Sequence, residues 1–261
     1  MDAKIDRIGE TGINNFGSEM IIVGYRMNRD IDVYFPKYDW TARSVTYMAF
    51  KKGNIKCPYE PKVYEHGYLG EGKFKVHDEN GKITKCYDAW RQMLRRCYDS
   101  KYHEKYYTYK GCEVHNELLC YQNFGEWFMD NYYEIDGEKM CLDKDILVKG
   151  NKIYSPETCV FVPNNINVLF TKRDKSRGSL PIGVSYHKQT GRYRAYCHVY
   201  NFKENKSKIK YLGYHNTPEQ AFKVYKQFKE KNIKAIADYY KDKIPQKLYD
   251  AMYNYEVEIT D

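Results

Sequence analysis

The stretch LDKDILVKGNKIYSPETC, residues 142–159, decides how the middle of the chain is interpreted. One apolar run, Ile146-Leu147-Val148, lies within this stretch and another begins at Cys159, where it ends; Gly150 and Pro156 lie between the two runs. Glycine and proline between two apolar runs are typical of a turn between strands. The pattern therefore predicts a β-hairpin with a first strand at Leu142–Val148 and a second at Cys159–Val162.

Three charged residues, Asp143, Lys144 and Asp145, stand side by side at the start of this hairpin. Residues two apart in a strand project from the same face, roughly 6 to 7 Å apart. Both carboxylates could therefore reach one hard cation while Lys144 points away. Two interpretations stay open at this point: a metal site, and a solvated or salt-bridged strand end.

Helical patterns flank the hairpin on both sides. Cys86, Trp90, Met93, Leu94 and Cys97 recur at helical spacing, which predicts an amphipathic helix over residues 85–98. A second helix is predicted over residues 123–128. After the hairpin, the segment 164–170 predicts a further helix, with asparagine available as its cap.

The last third of the chain predicts three strands and a helix. The strands are Ile182–Tyr186, Arg192–Tyr200 and Lys208–Tyr214, and the helix starts at Thr217 with proline in its first position. Helical spacing turns one set of side chains toward the sheet and another toward solvent. The sheet-facing set is Ala221, Val224, Tyr225 and Phe228, and the solvent-facing set is Lys223, Lys226, Lys229 and Lys231.

Composition and charge narrow the class of protein. The chain has 261 residues, 42% of them hydrophobic, which is enough to build one large domain or several small ones. The net charge is +8, and from Thr171 onward 19 lysines and arginines face 10 acidic residues. This basic excess is either a solvated face or a surface that binds a polyanion. The eight cysteines show no Cys-x-x-Cys spacing, and no secretion signal or membrane span is evident, which predicts a cytoplasmic protein.

The C-terminal pattern resembles the plant ethylene-response-factor DNA-binding domain over about 60 residues. Gly183-Val184, Gly191-Arg192-Tyr193-Arg194-Ala195, Tyr211-Leu212-Gly213 and Thr217-Pro218-Glu219-Gln220-Ala221 carry this resemblance. It implies that the outer face of the sheet lies in the DNA major groove. If Ala195, Cys197 and Val199 pack against the helix, strand alternation turns Arg192, Arg194, Tyr196 and His198 outward for contact with double-stranded DNA. The resemblance implies further contacts by Ser185, His187 and Tyr211, and Lys188 is placed to meet phosphate.

The strand, loop, strand and helix order of the central segment resembles the ββα-metal fold of phage HNH homing endonucleases. The resemblance extends over roughly residues 85–240 and implies a Mg²⁺ or Mn²⁺ site with Asp143 and Asn167 as ligands. Strand alternation adds Asp145 as a further ligand. Lys144 stands where the family has its histidine general base. Lysine is normally protonated up to about pH 10.4, so it is a poor base. Other nucleases pair carboxylates with a lysine around magnesium, and on this ground Lys144 and Asp145 are the candidate catalytic residues.

Together these patterns predict a multidomain α+β protein. The predicted parts are a β-rich, SH3-like accessory module at 1–80, an HNH-like ββα-metal domain at 81–170, a basic linker at 171–180 and the ethylene-response-factor-like domain at 181–261. The predicted function is DNA binding by a phage or mobile-element protein in the host cytoplasm, with metal-dependent nicking if the site is active. The alternative is an inactive HNH derivative that regulates or inhibits a host defence protein through protein contacts.

Overall fold

A computed structural model describes residues 6–171, 178–201, 206–259 and 261. The chain is of mixed α+β class, as predicted, and divides into two compact units, Met1–Asp130 and Asn131–Asp261. The predicted domain boundaries at residues 80 and 170 differ from this division and stay predictions. Most of the predicted linker, residues 172–177, lies outside the described residues.

The N-terminal unit begins with a four-stranded antiparallel meander. Its strands are β1 (Thr11–Ile13), β2 (Glu19–Met27), β3 (Asp30–Phe35) and β4 (Trp40–Val45), and the short helix α1 (Tyr47–Lys51) follows. Alternate residues of β3 are buried, because successive side chains of a strand point to opposite faces. The prediction of a β-rich start is confirmed, whereas the SH3-like shape stays a prediction.

The rest of this unit is mainly helical. Its elements are α2 (Lys85–Tyr98), α3 (Ser100–Lys105), β5 (Glu113–Val114), α4 (Asn116–Leu119) and α5 (Tyr121–Asn131). Helix α2 has the predicted bounds, and all five of its predicted apolar side chains are buried. Trp90 is fully buried and its indole Nε1 donates a hydrogen bond of 2.9 Å to the carbonyl oxygen of Leu118. The predicted second helix lies within α5.

The C-terminal unit begins with the hairpin region. Its elements are β6 (Met140–Asp143), β7 (Ile153–Tyr154), β8 (Val160–Pro163) and the single-turn helix α6 (Asn164–Asn167), which a 3₁₀ turn extends to Phe170. Strands β6 and β8 are antiparallel. The predicted asparagine cap is wrong, because Pro163 occupies the cap position and makes no side-chain hydrogen bond there.

The C-terminal unit continues with a three-stranded antiparallel sheet and two helices. The strands are β9 (Val184–His187), β10 (Arg192–Asn201) and β11 (Lys206–His215), with β10 in the centre. Helix α7 (Pro218–Tyr240) begins as predicted, since the hydroxyl of Thr217 accepts a hydrogen bond from the backbone N–H of Gln220. Helix α8 (Gln246–Tyr253) follows. The order of three strands and a helix is therefore confirmed.

Helix α7 serves two cores in the C-terminal unit. In its first half, Ala221 and Tyr225 pack against the sheet. In its second half, Ile233, Ile236, Ala237 and Tyr240 share a core with side chains of β8, α6 and α8. A helix of 23 residues is about 35 Å long. One continuous helix therefore joins the hairpin region to the three-stranded sheet.

Candidate functional site

Strand β6 ends at Asp143, five residues earlier than predicted. The carboxylate oxygen Oδ1 of Asp143 accepts hydrogen bonds from the backbone N–H groups of Asp145, at 2.9 Å, and Ile146, at 2.8 Å. An aspartate that binds the backbone two or three residues onward closes a turn and competes with a continued strand. The predicted strand to Val148 is therefore wrong, and Asp145 is not placed by strand alternation.

The carboxyl group of Asp143 is half-buried, and its surroundings disfavour the charged form. Burial raises the pKa of Asp143 to about 6, and the nearby charge of Asp145 adds to this effect. The two loop N–H groups and the Lys144 ammonium act in the opposite direction. Two carboxylates that repel each other in a partly desolvated place form a negative region that a cation would stabilise.

Lys144 lies inside the hairpin region, with 6% of its surface exposed. Its Nζ is 3.4 Å from the Asp145 carboxylate and 5.9 Å from the centre of the Tyr154 ring. The amide nitrogen of Asn151 donates a hydrogen bond of 2.7 Å to the Lys144 carbonyl oxygen and holds the loop. Lys144 and Asp145 therefore form an ion pair at the edge of the hairpin region.

The third predicted metal ligand, Asn167, is half-buried at the end of α6. Two carboxylates and an amide oxygen are hard donors that suit Mg²⁺ or Mn²⁺, and the repulsion between Asp143 and Asp145 gives a cation a reason to bind. Among the residues described, no group of three His, Cys, Asp or Glu side chains could hold a metal ion. A cation held by Asp143 and Asp145 would therefore take the remainder of its shell from other groups, such as water.

The three-stranded sheet has an inner face toward α7 and an outer face away from it. Val184, Ala195 and Cys197 are buried on the inner face. Alternation along β10 then places Arg192, Arg194, Tyr196 and His198 on the outer face. Directly paired residues of antiparallel strands share a face, so this outer face also contains the partners of Arg194 and Tyr196. Those partners are Ser185 on β9 and Tyr211 and Tyr214 on β11.

Arg194 lies at the centre of the outer face and contacts three of its neighbours. The guanidinium carbon is 5.1 Å from the centre of the Tyr211 ring and 5.9 Å from that of Tyr196. Its Nε donates a hydrogen bond of 3.4 Å to the hydroxyl of Ser185. Cation–π contacts and one hydrogen bond orient the guanidinium. The structure thus brings together four of the predicted contact residues, Ser185, Arg194, Tyr196 and Tyr211.

The other predicted contact residues lie around this centre. His187 pairs with Arg192 at the end of the sheet, and its ring nitrogen Nδ1 is 3.0 Å from the hydroxyl of Thr190. Lys188 is exposed in the turn between β9 and β10. His198 is exposed farther along β10, where its ring contacts that of Tyr196 edge-on.

Two exposed tyrosines of the sheet were not predicted, Tyr214 on the outer face and Tyr186 on the inner-face side. Tyr214 pairs with Arg194 and its ring contacts His187 edge-on at 5.1 Å. Simple alternation from Tyr211 assigns Tyr214 to the opposite face, but a bulge in β11 near Gly213 shifts the register. Gly213 has a positive φ of +114° at this bulge. The glycine in the Leu-Gly-Tyr sequence is therefore the local signal that could have indicated the bulge. Tyr186 is 51% exposed and contacts Tyr193.

The sheet carries no negative side chain in its described part. Residues 178–201 and 206–215 contain six lysines and arginines and no aspartate or glutamate. Arginine, lysine, histidine and tyrosine side chains therefore set the chemical character of this sheet.

Comparison with known proteins gives no significant match, whether to family models, to curated proteins or to solved structures. In the parts of the chain that the structure describes, no helix combines the length and apolar character that crossing a bilayer requires. The arrangement of residues therefore provides the basis for a functional proposal.

Proposed function

We propose that this chain is a DNA-binding protein of a phage or mobile element and that it contacts double-stranded DNA through the outer face of the β9–β11 sheet. The observation that carries the proposal is the oriented Arg194 at the centre of a face with Arg192 at its rim. No acidic residue of the described sheet opposes a phosphate backbone there. In this proposal the three strands and α7 form an ethylene-response-factor-like domain.

The side chains divide between phosphate contacts and base contacts. Ring contacts and the bond to Ser185 hold the Arg194 guanidinium in one orientation, and its remaining N–H groups can donate to guanine O6 and N7. Lys188 and Arg192 lie in and beside the exposed turn, where they can meet phosphates. Preorganised arginine loses less side-chain entropy on binding than a free one.

A gel-shift titration on random-sequence duplex DNA tests the proposal. Binding that weakens steeply as salt rises from about 50 to 200 mM is expected, because each neutralised phosphate releases counterions. Arg194→Ala should weaken binding by about 1–3 kcal/mol. Lys231→Ala is the matched control, since Lys231 is exposed on α7, which covers the other side of the sheet. Equal affinity of both variants, or no shift at low salt, would overturn the proposal.

Metal-dependent nicking is the second candidate function, and the raised pKa of Asp143 beside Asp145 favours it. Asp143, Asp145 and Asn167 would hold Mg²⁺ or Mn²⁺, which supplies Lewis acidity at a scissile phosphate. In this proposal the hairpin and α6 form an HNH-like ββα-metal region, and Lys144 with Asp145 occupies the place of the catalytic pair.

Plasmid relaxation with Mg²⁺ or Mn²⁺ tests this second function. Asp143→Asn should abolish nicking, while Asp242→Asn, at an exposed carboxylate of the same unit, should leave it unchanged. Nicking that survives Asp143→Asn would remove the assignment of the metal site.

A catalytically inactive protein remains the alternative, and the burial of Lys144 at the position of the expected base favours it. In that case the chain acts as a regulator or as an inhibitor of a host defence protein. Retention of a partner protein at high salt, combined with no DNA shift at low salt, would favour this function over DNA binding.

A further inference from the structure

The segment 91–110 is a basic region in a unit that otherwise has an excess of acidic residues. It contains six lysines and arginines, two acidic residues and five tyrosines. The rest of the N-terminal unit, residues 1–90 and 111–130, contains 14 lysines and arginines against 17 acidic residues. The positive charge of this unit is therefore concentrated in one segment, and that segment is also rich in tyrosine.

Three of these tyrosines, Tyr102, Tyr106 and Tyr109, form a tyrosine cluster. The centre of the Tyr102 ring is 4.6 Å from that of Tyr106 and 5.8 Å from that of Tyr109, and both pairs are tilted. The Nε2 of His103 donates a hydrogen bond of 2.8 Å to the carbonyl oxygen of Arg96, which ties α3 to α2. Tyr106 is 41% exposed. The tyrosine cluster therefore lies at the surface of the unit and presents aromatic rings to solvent.

A cation lies near each ring of the tyrosine cluster. The pairs, with the distance from the guanidinium carbon or Nζ to the ring centre, are Arg95 and Tyr102 at 4.9 Å, Arg96 and Tyr109 at 5.9 Å, and Lys105 and Tyr106 at 5.2 Å. Exposed rings and cations side by side suit the two parts of a nucleotide, since a ring can stack on a base and a cation can bind a phosphate.

The two acidic residues of the segment leave this surface positive. Asp99 accepts hydrogen bonds from backbone N–H groups at the start of α3, and its Oδ2 is 3.4 Å from Arg95 Nε. It therefore balances one of the three cations near the rings. Helical spacing places Glu104 about 200° around α3 from Tyr102, on the opposite side of that helix.

We propose that the tyrosine cluster and its three cations bind single-stranded nucleic acid, in addition to the contact proposed for the β9–β11 sheet. The bases of a single strand expose the faces that can stack on tyrosine, whereas the bases of a duplex stack on each other. The phosphates would contact Arg95, Arg96 and Lys105. Because every base has such a face, little sequence preference is expected, and binding should weaken as salt rises.

Fluorescence anisotropy with labelled oligothymidylate of about 12 nucleotides tests this site in the full chain at low salt. Tyr106→Leu removes one exposed ring and should weaken binding by about fivefold or more, whereas Tyr106→Phe keeps the ring and should bind like wild type. Tyr253→Leu is the matched control, because Tyr253 on α8 is 39% exposed and its ring centre is 5.0 Å from Lys234 Nζ. It should bind like wild type. Wild-type affinity of Tyr106→Leu, or an equal loss in Tyr253→Leu, would overturn the proposal.

An abasic oligonucleotide of the same length separates stacking from attraction to phosphate. It has the same backbone charges without bases, so the wild-type protein should bind it more weakly than oligothymidylate. Equal affinity for the two would overturn the proposal, even if Tyr106→Leu folds poorly. Oligouridylate measured in parallel distinguishes a DNA ligand from an RNA ligand, and tighter binding of either one than of the abasic strand supports the site.

The variants also distinguish this site from the proposed sheet contact. Arg194→Ala should weaken duplex binding and should affect oligothymidylate less than Tyr106→Leu does. Tyr106→Leu should leave the affinity for duplex DNA unchanged. A loss of oligothymidylate binding in Arg194→Ala but not in Tyr106→Leu would assign single strands to the sheet and overturn the proposal.

Discussion

Replacing Asp143 by asparagine is expected to stabilise the C-terminal unit at neutral pH. The amide oxygen of asparagine can still accept the two loop hydrogen bonds that Asp143 accepts from Asp145 and Ile146. The substitution removes only the negative charge, which burial and the charge of Asp145 disfavour. The stabilisation therefore measures how unfavourable that charge is in the folded protein.

The magnitude follows from the pKa. A rise from 3.8 to about 6 corresponds to at most about 3 kcal/mol, since one pKa unit is about 1.4 kcal/mol. Asp143 is only half-buried, so water reduces this figure, and we expect about 1 to 2 kcal/mol at pH 7.5. Asp143→Ala also removes the charge but leaves two loop N–H groups without their acceptor. It should be less stable than Asp143→Asn by about 2 kcal/mol at every pH, because neither replacement titrates.

The pH dependence has a definite sign. The folded protein holds the proton of Asp143 up to about pH 6, whereas the unfolded chain releases it near pH 3.8. Between these values the folded state binds more protons, so the contribution of Asp143 to the free energy of unfolding falls as pH rises. The advantage of Asp143→Asn should therefore be present at pH 7.5 and should vanish near pH 4.

Urea unfolding monitored by two signals provides the assay. All three tryptophans, Trp40, Trp90 and Trp127, belong to the N-terminal unit, so their fluorescence should give the same transition in every Asp143 variant. Circular dichroism reports both units. An Asp143→Asn protein that is no more stable than wild type at pH 7.5 without added metal would refute the reasoning. If Mg²⁺ stabilises the wild type but not Asp143→Asn, this result would support cation binding at Asp143.

Three further substitutions, two of them with a control substitution, probe the fold. Gly183 has a φ of +73°, and a Cβ there would lie 2.1 Å from the Tyr225 ring, so Gly183→Ala should cost more than about 2 kcal/mol in thermal unfolding. Gly191→Ala is the control, since it shares the positive φ but its Cβ would meet only the Tyr186 hydroxyl oxygen, at an unstrained 3.9 Å, and it should cost about 1 kcal/mol. Thr217→Ala should cost about 1 kcal/mol, and Thr217→Ser should restore most of it, because the hydroxyl caps α7. Glu60→Gln should destabilise the N-terminal unit by about 1–3 kcal/mol in tryptophan-detected urea unfolding, since this buried carboxylate pairs with Lys62 at 2.6 Å; an unchanged midpoint would contradict this expectation.

Local patterns account for what could be predicted from the sequence. The buried face of α2 and the capped start of α7 depend on residues within a few turns of each other, so periodicity and capping chemistry reveal them. The inner face of the sheet follows from strand alternation around Ala195 and Cys197.

Other features depend on interactions that periodicity does not contain. Asp143 ends its strand by binding the backbone of the next residues, which a strand pattern does not distinguish from continued pairing. Lys229 was assigned to solvent, but it is buried beside residues such as Leu169, Tyr255 and Val257, which are far from it in the chain. Tyr214 was missed because a bulge changes which face it occupies.

The double use of α7 has a consequence for synthesis on the ribosome. The apolar side chains of β8 and α6 complete their core with Ile233, Ile236, Ala237 and Tyr240, which are translated about 70 residues later. Part of the apolar surface of the hairpin region therefore stays exposed until almost the whole chain has emerged. The buried core of the β1–β4 meander, in contrast, is complete once residue 57 has been translated. Slow stretches of translation after residue 170 would prolong this exposure and favour aggregation or capture by chaperones.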